Sequence, residues 1–565
     1  MDDFHLKNLM HHPDNPYNII KSPLDMFNFF DGDPETTSML MDHGLPWWVD
    51  ANIKAGFWRP LTAITHWLDY IIFSGDPMVM HLHSILWYAA AAVLVAVYYR
   101  RITGLTIAAG LAALMWVLDD THGTPVGFIS NRNALLACFF GMLTLIAHDN
   151  WYKHKQLKWK IIATVSLAAS LLSAEAGIAT CAYLFAYVVF LESSNWRQKL
   201  YNLAPYATVV IIWRIAWSLL GYGIVNVGLY VDPVRQPLLF VSEMWHKAIL
   251  LLTAQLVGIA SDIAIMLSAK ALSHLVVIEL FLLIILAAMF IPVIRKDKIA
   301  RFWACGMLLS VLPCCATFPC DRMLVFVSIG AMGLLGQFIV CVFSNKDVYK
   351  SKRALRVISI VAAVLFLFSN IFLSPGALTV KTMYPLGPPK LTEKIFVPPI
   401  EDEKIVNQDL VVVNPPTAFL ALASPYMFDL SYKNRPKLTR ALCSSFYGPT
   451  EITRVDKNSL SIRPAEGYMA FTLDRLFRGN NCQMELGQKV HLTGMEVEVT
   501  ELTDDNRPAE AVFRFDKPLE DESFRWLKWG YGQYESYTPP AVGQTEIIKA
   551  GTLKGGIMHL LKSKK

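Results

Sequence analysis

The stretch HSILWYAAAAVLVAVYYRR (residues 83–101) contains an apolar run that ends in two arginines. A helix needs about 20 predominantly apolar residues to cross a bilayer, and the run over 83–99 comes close to that length. Arg100 and Arg101 follow it, and short loops rich in Lys and Arg stay on the cytoplasmic side of a membrane. The stretch therefore predicts a transmembrane helix with a cytoplasmic C-terminal end.

The composition extends this prediction to the whole chain. Of its 565 residues, 54% are hydrophobic and 17% are charged, against roughly 25% charged in soluble domains. The mean hydropathy is +0.37, and 15 Trp suit a protein with long membrane interfaces. A formal net charge of +5 is small for this length and does not indicate nucleic-acid binding. We predict a polytopic α-helical membrane protein without a nucleic-acid partner.

Similar apolar runs recur as far as residue 374. We predict ten spanning helices, at 83–99, 105–118, 133–148, 161–174, 177–191, 204–221, 272–294, 302–316, 323–343 and 354–374. The run at 246–266 is also apolar, but a span there would break the alternation of loop charges. We expect a re-entrant or interfacial helix at this position instead.

Loop charge orients the predicted helices. The loops that hold YYRR (98–101), KHKQLKWK (153–160) and RKDKIAR (295–301) are short and basic, which predicts a cytoplasmic location. The first 80 residues, the intervening loops and the tail after Pro375 then face outward, into the periplasm if this is a bacterial inner membrane. No cleavable signal peptide opens the chain. Either the N-terminal tail crosses unaided or an eleventh helix precedes Met1, and we favour the latter.

Composition changes along the chain predict four regions. Residues 1–80 form a first outer loop with amphipathic helices, and residues 81–375 form the transmembrane core. Residues 376–400 read as a Pro-rich linker. Residues 401–565 contain runs with period-two character, such as DLVVVN and AEAVFRFD, which predict a soluble, mostly β domain. Within it, Cys443 and Cys482 can pair if the compartment is oxidising.

Ionisable residues collect on the predicted outer side. They are Asp2, Asp3, Arg59, His81, His83, Asp119, Asp120, His122, Arg132, Glu175, Asp321 and Arg322. Such residues at a membrane edge are costly unless they are paired or functional. A carboxylate can act as general base on an acceptor hydroxyl or amine, and arginines can hold a phosphate through bidentate hydrogen bonds. A polyprenyl-linked sugar phosphate would bring a lipid tail for the membrane and a phosphate for the arginines.

Structural readings of these residues stay open. Asp119 and Asp120 can simply end a helix in solvent, and His81 and His83 straddle opposite faces of one helix. Arg59 can extend to lipid headgroups, whereas Glu175 is harder to assign to structure because apolar sequence flanks it on both sides. Three further ionisable residues are expected to be structural partners, namely Asp69, Arg214 and Asp262.

Four segments follow one another in the core. They are WRPLTAITHWLDY with MHLHS (58–84), ISNRNALL (129–136), LLSAEAG (171–177) and FPCDRMLVF (318–326). In this order they resemble the motifs of GT-C glycosyltransferases, specifically the bacterial relatives of protein O-mannosyltransferases. The resemblance covers residues 1–374 and implies a GT-C-like fold for the membrane core. The β tail is outside it.

The resemblance also implies a chemistry. The donor would be a polyprenyl-phosphate-linked sugar, and the acceptor a protein, lipid or glycan on the outer face. MDDFHLKN matches the acidic pair of the family, so Asp3 or Asp2 would be the catalytic base. The substrate-binding set would comprise Arg59, His81, His83, Asp120, Arg132, Glu175 and Arg322, with Arg322 on the lipid phosphate. Ala174 stands where the family usually has a Lys. A divalent metal is sometimes invoked for this class, and nothing in the sequence demands one.

Two other functions compete with a glycosyltransferase. A transporter or a lipid-linked sugar flippase would use Glu175 and Arg322 to bind cargo between helices, although we see no internal repeat of the kind common in transporters. A non-enzymatic scaffold would use the β tail as its working part. Membrane lipids are partners in every case.

Overall fold

The computed structural model describes Asp3, Leu6, Lys7, Met10 and residues 22–344, 353–383, 400, 403–418, 434–444, 447–530 and 533–549. Asp2 and residues 384–399 of the predicted linker lie outside this range. The part of the linker that is described, up to Met383, is helical.

The α-helices are α1 Pro34–Asp42, α2 Pro60–Phe73, α3 Pro77–Thr103, α4 Ile107–Leu118, α5 Gly123–Gly127, α6 Arg132–His154, α7 Leu157–Ser173, α8 Thr180–Phe190, α9 Trp196–Leu219, α10 Pro237–Val257, α11 Ala269–Lys296, α12 Lys298–Cys314, α13 Val325–Phe343, α14 Arg353–Phe368 and α15 Ser374–Met383. Each of the ten predicted runs overlaps one of these helices, with bounds that differ by up to eight residues. Helical segments long and apolar enough to cross a membrane number five among the described residues, at Pro77–Thr103, Ile129–His154, Ala269–Lys296, Val325–Phe343 and Leu355–Met383. The chain is a multi-pass α-helical membrane protein.

Local sequence explains the bounds of α3, the helix predicted first. The Asp76 side chain accepts a hydrogen bond from the Met78 amide, and Pro77 occupies the first turn, where its missing N–H costs nothing. Arg100 and Arg101 lie in the last turn, beside the negative end of the helix dipole. The helix begins six residues before the predicted run because capping, and not hydropathy, sets its start.

Helix α10 occupies the apolar stretch that we did not expect to span. The loop before it carries Asp232, and the Ser261 amide just after it donates to Asp321 at 2.9 Å. The Gln255 side chain, near its end, donates to Asp119 at 2.8 Å. The re-entrant or interfacial placement of this stretch stays a prediction.

The tail is a β domain, as the period-two runs predict. Its strands are β4 Asp409–Val412, β5 Leu438–Ala441, β6 Thr450–Arg454, β7 Ser459–Pro464, β8 Lys489–Leu492, β9 Met495–Leu502, β10 Pro508–Phe515, β11 Phe524–Trp529, β12 Tyr534–Ser536 and β13 Thr545–Ile548. One sheet has the order β13-β6-β7-β10-β9-β8, and a second has the order β12-β11-β4-β5. Strands β11, β4 and β5 run parallel, while the six-stranded sheet is antiparallel.

Cys443 and Cys482, which could pair if the compartment is oxidising, are both free thiols in the structure. Cys443 is fully buried in the β domain, where its thiol donates to the Val413 carbonyl oxygen at 3.2 Å. Cys482 lies in a turn whose amide bonds the Gly479 carbonyl oxygen. The packing of the two thiols into different parts of the domain keeps them apart.

The N-terminal region and the β domain share one hydrophobic core. Trp47 and Trp48 are buried among residues of β6, β7, β9 and β10. The Trp47 indole donates to the Leu442 carbonyl oxygen at 3.0 Å, and the Trp48 indole donates to the Asp474 carbonyl oxygen at 3.2 Å. Two regions that the sequence separates by more than 300 residues therefore fold as a unit.

A small sheet links this unit to the membrane core. Its strands are β1 Asn28–Asp31, β2 Lys54–Gly56 and β3 Gly223–Val225, in that order. Strand β2 pairs with β3 in antiparallel register, Ala55 opposite Ile224. Because β3 follows α9, the sheet ties the first outer loop to the loop between α9 and α10.

Candidate functional site

A cavity of about 430 Å³ lies where the first outer loop meets the membrane core. Its wall combines residues of α6, α9, α12 and α13 with the segment after α7 at 174–179 and with Phe57, Arg59 and residues 230–234. The charged residues in this wall are Arg59, Glu175, Arg214, Asp232 and Arg322. The three arginines outnumber the two carboxylates, so the cavity is suited to an anion.

Arg59 and Glu175 form an ion pair inside the cavity. The Arg59 Nε donates to Glu175 Oε2 at 2.7 Å, and the two side chains are 19% and 26% exposed. The guanidinium also lies over the rings of Phe57 and Phe27, at 4.5 and 5.2 Å from their centroids. These contacts hold the arginine over aromatic faces without using all of its N–H groups.

Arg214 and Asp232 form a second pair in the same wall. The Arg214 Nη2 donates to Asp232 at 2.7 Å, and its guanidinium lies 4.2 Å from the Trp217 ring centroid. Burial alone would raise the pKa of Asp232, but hydrogen bonds from Arg214 and from the Val234 amide outweigh it and lower the pKa. Asp232 is therefore ionised. The sequence prediction had Arg214 as a structural partner, but it did not include Asp232, the residue with which Arg214 pairs.

Several buried polar atoms in the cavity wall make no hydrogen bond with any residue that the structure describes. They are Ser130 Oγ, Asn131 Nδ2, Glu175 Oε1, Trp213 Nε1 and Trp217 Nε1. Buried polar groups are almost always hydrogen-bonded, and an unsatisfied one costs about 1–3 kcal/mol. Donors and acceptors of this kind, clustered around one cavity, are suited to a ligand rich in hydroxyl groups.

Asp3 lies directly behind this wall. Its carboxylate accepts the backbone amides of Ser130 at 2.6 Å and of Ile129 at 3.1 Å. These amides belong to the short turn Ile129–Asn131 that leads into α6, and Ser130 itself lines the cavity. Asp3 itself does not line the cavity, and Asp2 lies outside the described residues.

Arg132 and the two histidines do not line the cavity. The Arg132 guanidinium is fully buried and donates to Asp69 at 2.6 Å and to the Met80 carbonyl oxygen at 2.8 Å. The other Asp69 oxygen accepts from His83 Nδ1 at 2.8 Å. This network joins α2, α3 and α6 beneath the site, which is a structural role. His81 lies half-buried on α3.

Asp120 belongs to a separate polar cluster. Lys381, near the end of α15, donates to Asp120 at 2.6 Å and to Asp321 at 2.9 Å. Asp321 also accepts two hydrogen bonds from Ser261, each at 2.9 Å. Arg322, the next residue, lines the cavity and lies 5.9 Å from the Phe318 ring. The sequence prediction missed Lys381 because it comes at the edge of the predicted linker, after the last apolar run.

The donor set does not fit a divalent metal. Within the described ranges, no three His, Cys, Asp or Glu side chains are grouped so that they could hold a metal ion. The two carboxylates of the cavity wall are each bonded to an arginine instead. We derive no catalytic step through a metal.

No protein-family model matches the chain, and no curated protein sequence matches it. Among solved structures, it is similar to the crystal structure of the Archaeoglobus fulgidus oligosaccharyltransferase in complex with zinc and sulfate. The TM-score is 0.33 and the identity 13%, over 75% of this chain and 61% of that one. The chain thus covers less than two thirds of that protein, and similarity at this level assigns it neither a family nor an activity.

Proposed function

We propose that this protein is an integral membrane glycosyltransferase that moves a sugar from a polyprenyl-phosphate carrier to an acceptor on the outer face of the membrane. The observation that carries the proposal is the cavity. It combines arginines for a phosphate with unpartnered hydroxyl, amide and indole groups for a sugar, at the membrane boundary. In a bacterial cell the outer face is the periplasmic side of the inner membrane.

An apolar groove beside the cavity supports a lipid-linked donor. The groove has a volume of about 340 Å³ and lies between α8 and α9, with Leu184, Phe185 and Ile211 in its wall. Ile178 and Val210 line both the groove and the cavity. An amphiphile can therefore place its phosphate among the arginines while its isoprenoid tail stays on the apolar side chains of the groove.

The residues of the cavity have distinct roles in this proposal. Arg59 and Arg322 bind the phosphate of the donor, and planar guanidinium groups suit that task because they can bond two oxygens at once. When a phosphate replaces Glu175 as the partner of Arg59, the Glu175 carboxylate is released toward the sugar. Trp213 and Trp217 offer indole N–H donors to sugar hydroxyl groups.

The reaction is a displacement at the anomeric carbon. A carboxylate, Asp3 in the described part of the acidic pair, takes the proton of the acceptor O–H or N–H. The acceptor atom attacks the anomeric carbon, the bond from that carbon to the phosphate oxygen breaks, and the polyprenyl phosphate leaves with the electron pair. The arginines stabilise the negative charge that develops on this leaving phosphate.

Comparative mass spectrometry of envelope glycans, lipids and glycoproteins tests the proposal. Cells lacking the protein are complemented with wild type, Glu175→Gln, Asp3→Asn, or the control Glu451→Gln, which changes an exposed carboxylate of β6. We expect a hexose mass to vanish in the deletion and to return only with wild type and the control.

Two results would contradict the proposal. If the glycan profile of the deletion strain equals that of wild type, the protein is not the proposed glycosyltransferase. Counterflow of a labelled lipid-linked sugar in proteoliposomes, without transfer, favours the flippase. Full restoration by Asp3→Asn would move the role of base to Glu175.

A further inference from the structure

We infer that the β domain sets the geometry of the cavity from outside, with Arg478 as its main positioning residue and Gly228 as the point of closest approach. No described residue of β4–β13 lines the cavity. The domain instead binds the two loops that do, and each loop carries charged residues of the site. The structural part of the inference is independent of the proposed function, and only its consequence for the ligand rests on that function.

Arg478 hydrogen-bonds the backbone of the first outer loop. Its guanidinium donates to the carbonyl oxygens of Trp48 at 2.6 Å and Val49 at 3.1 Å, and to that of Cys482, in the β domain, at 2.7 Å. It also lies 3.5 Å from the Asp50 carboxylate. Arg478 is only 9% exposed, so these bonds form away from water, where their loss leaves carbonyl oxygens buried and unpaired.

The segment that Arg478 binds lies only a few residues before the cavity wall. After Asp50 the chain enters β2 (Lys54–Gly56), and Phe57 and Arg59 follow in the cavity wall. The Asp50 carboxylate also accepts from the Asn226 side chain at 2.8 Å, one residue after β3. Strand β3 pairs with β2, and the chain that follows β3 leads to Asp232 in the cavity wall.

The second loop touches the β domain at Gly228. The Gly228 amide donates to the Arg475 carbonyl oxygen at 3.1 Å, and the Gly479 amide donates to the Asn226 carbonyl oxygen at 2.8 Å. A Cβ on Gly228 would lie 2.3 Å from the Arg475 carbonyl oxygen, far inside contact distance. Only glycine permits this approach of two backbones. The β domain therefore fixes both cavity loops at once.

The inference is tested by hydrogen–deuterium exchange on the full-length protein in nanodiscs. We compare wild type, Arg478→Ala, Gly228→Ala and the control Arg454→Ala. Arg454 is a matched arginine of the β domain, 5% exposed, that bonds Glu520 and the carbonyl oxygens of Asp456 and Lys457 within that domain. Binding of undecaprenyl phosphate is measured on the same samples.

In Arg478→Ala and Gly228→Ala we expect faster exchange, by about threefold or more, in peptides that cover 48–58 and 222–232, because local opening follows the loss of fixed contacts. Undecaprenyl phosphate should bind about tenfold more weakly, since a cavity displaced by an ångström loses its pre-set geometry. Arg454→Ala should leave both quantities at wild-type values. Gly228→Ala keeps every β-domain side chain, so it remains decisive if Arg478→Ala folds poorly.

Unchanged exchange of 48–58 and 222–232 in both variants would overturn the inference, as would equal loosening in Arg454→Ala. If wild type does not bind undecaprenyl phosphate, the proposed function fails on its own. The exchange result then still decides whether the β domain holds the cavity loops.

Discussion

At the scale of single residues, the cavity depends on arginines that are already partnered. Arg59 bonds Glu175, and Arg214 bonds Asp232. An anionic ligand must displace these carboxylates from the arginines. Its affinity therefore reflects the difference in free energy between the internal ion pair and the arginine–phosphate contact. Planar guanidinium geometry matters here more than charge alone.

Conservative replacement of cavity arginines tests that point. Arg59→Lys and Arg322→Lys, at the two arginines proposed to bind the donor phosphate, keep the charge but lose the fork of N–H donors, so the KM for a polyprenyl-phosphate sugar should rise about tenfold, or roughly 1.4 kcal/mol. The measurement is transfer of labelled sugar in nanodiscs. Arg463→Lys, a half-exposed arginine on the β-domain surface, is the control. If the KM stays at the wild-type value in both cavity variants, these arginines do not bind the donor phosphate.

At the scale of elements, helix α15 closes the bundle through a close backbone contact and one cation. A Cβ on Gly127 of α5 would lie 2.1 Å from the Thr382 carbonyl oxygen of α15, so the two backbones touch there. Beside this contact, Lys381 bridges Asp120 and Asp321. Helix α15 leads toward the β domain. Lys381 attaches it to Asp321, the residue immediately before Arg322 of the cavity wall.

Removal of the cation should loosen this attachment. Lys381→Met leaves two carboxylates without their shared partner, and we expect a loss of roughly 2 kcal/mol of stability. Thermal unfolding in detergent, followed by tryptophan fluorescence, should show a lower Tm that Lys381→Arg largely restores. An equal Tm for wild type and Lys381→Met would show that the close backbone contact alone holds α15.

At the scale of the whole molecule, the N-terminal region, the loop after α9 and the β domain act as one body above the membrane core. Asp474 lies at the centre of that body. Its carboxylate is fully buried and accepts from the Ala418 amide at 2.9 Å, and its backbone carbonyl accepts the Trp48 indole. Burial raises the pKa of Asp474 to about 7, against weaker lowering by its hydrogen bonds to Ser444 and Ala418.

This pKa predicts a pH dependence of stability. Between the unfolded value of 3.8 and about 7, the folded state holds more protons than the unfolded state, so the contribution of Asp474 to stability falls as pH rises through this window and is constant above it. Asp474→Asn should flatten the decrease in Tm between pH 5 and pH 8, measured on full-length protein in nanodiscs. Parallel curves for wild type and variant would assign the decrease to other groups.

The sequence by itself determined the helical bundle and the β domain, since these follow from hydropathy and periodicity that act within about 20 residues. It also pointed to Arg59, Glu175 and Arg322, because charges beside apolar runs are conspicuous. Only the tertiary structure decided that Arg214 lines the cavity while Arg132 is buried under it, and that Lys381 bridges two outer loops. Whether a charge is paired or faces a cavity depends on neighbours that lie far away in the chain. Hydropathy does not encode those neighbours, and packing alone brings them together.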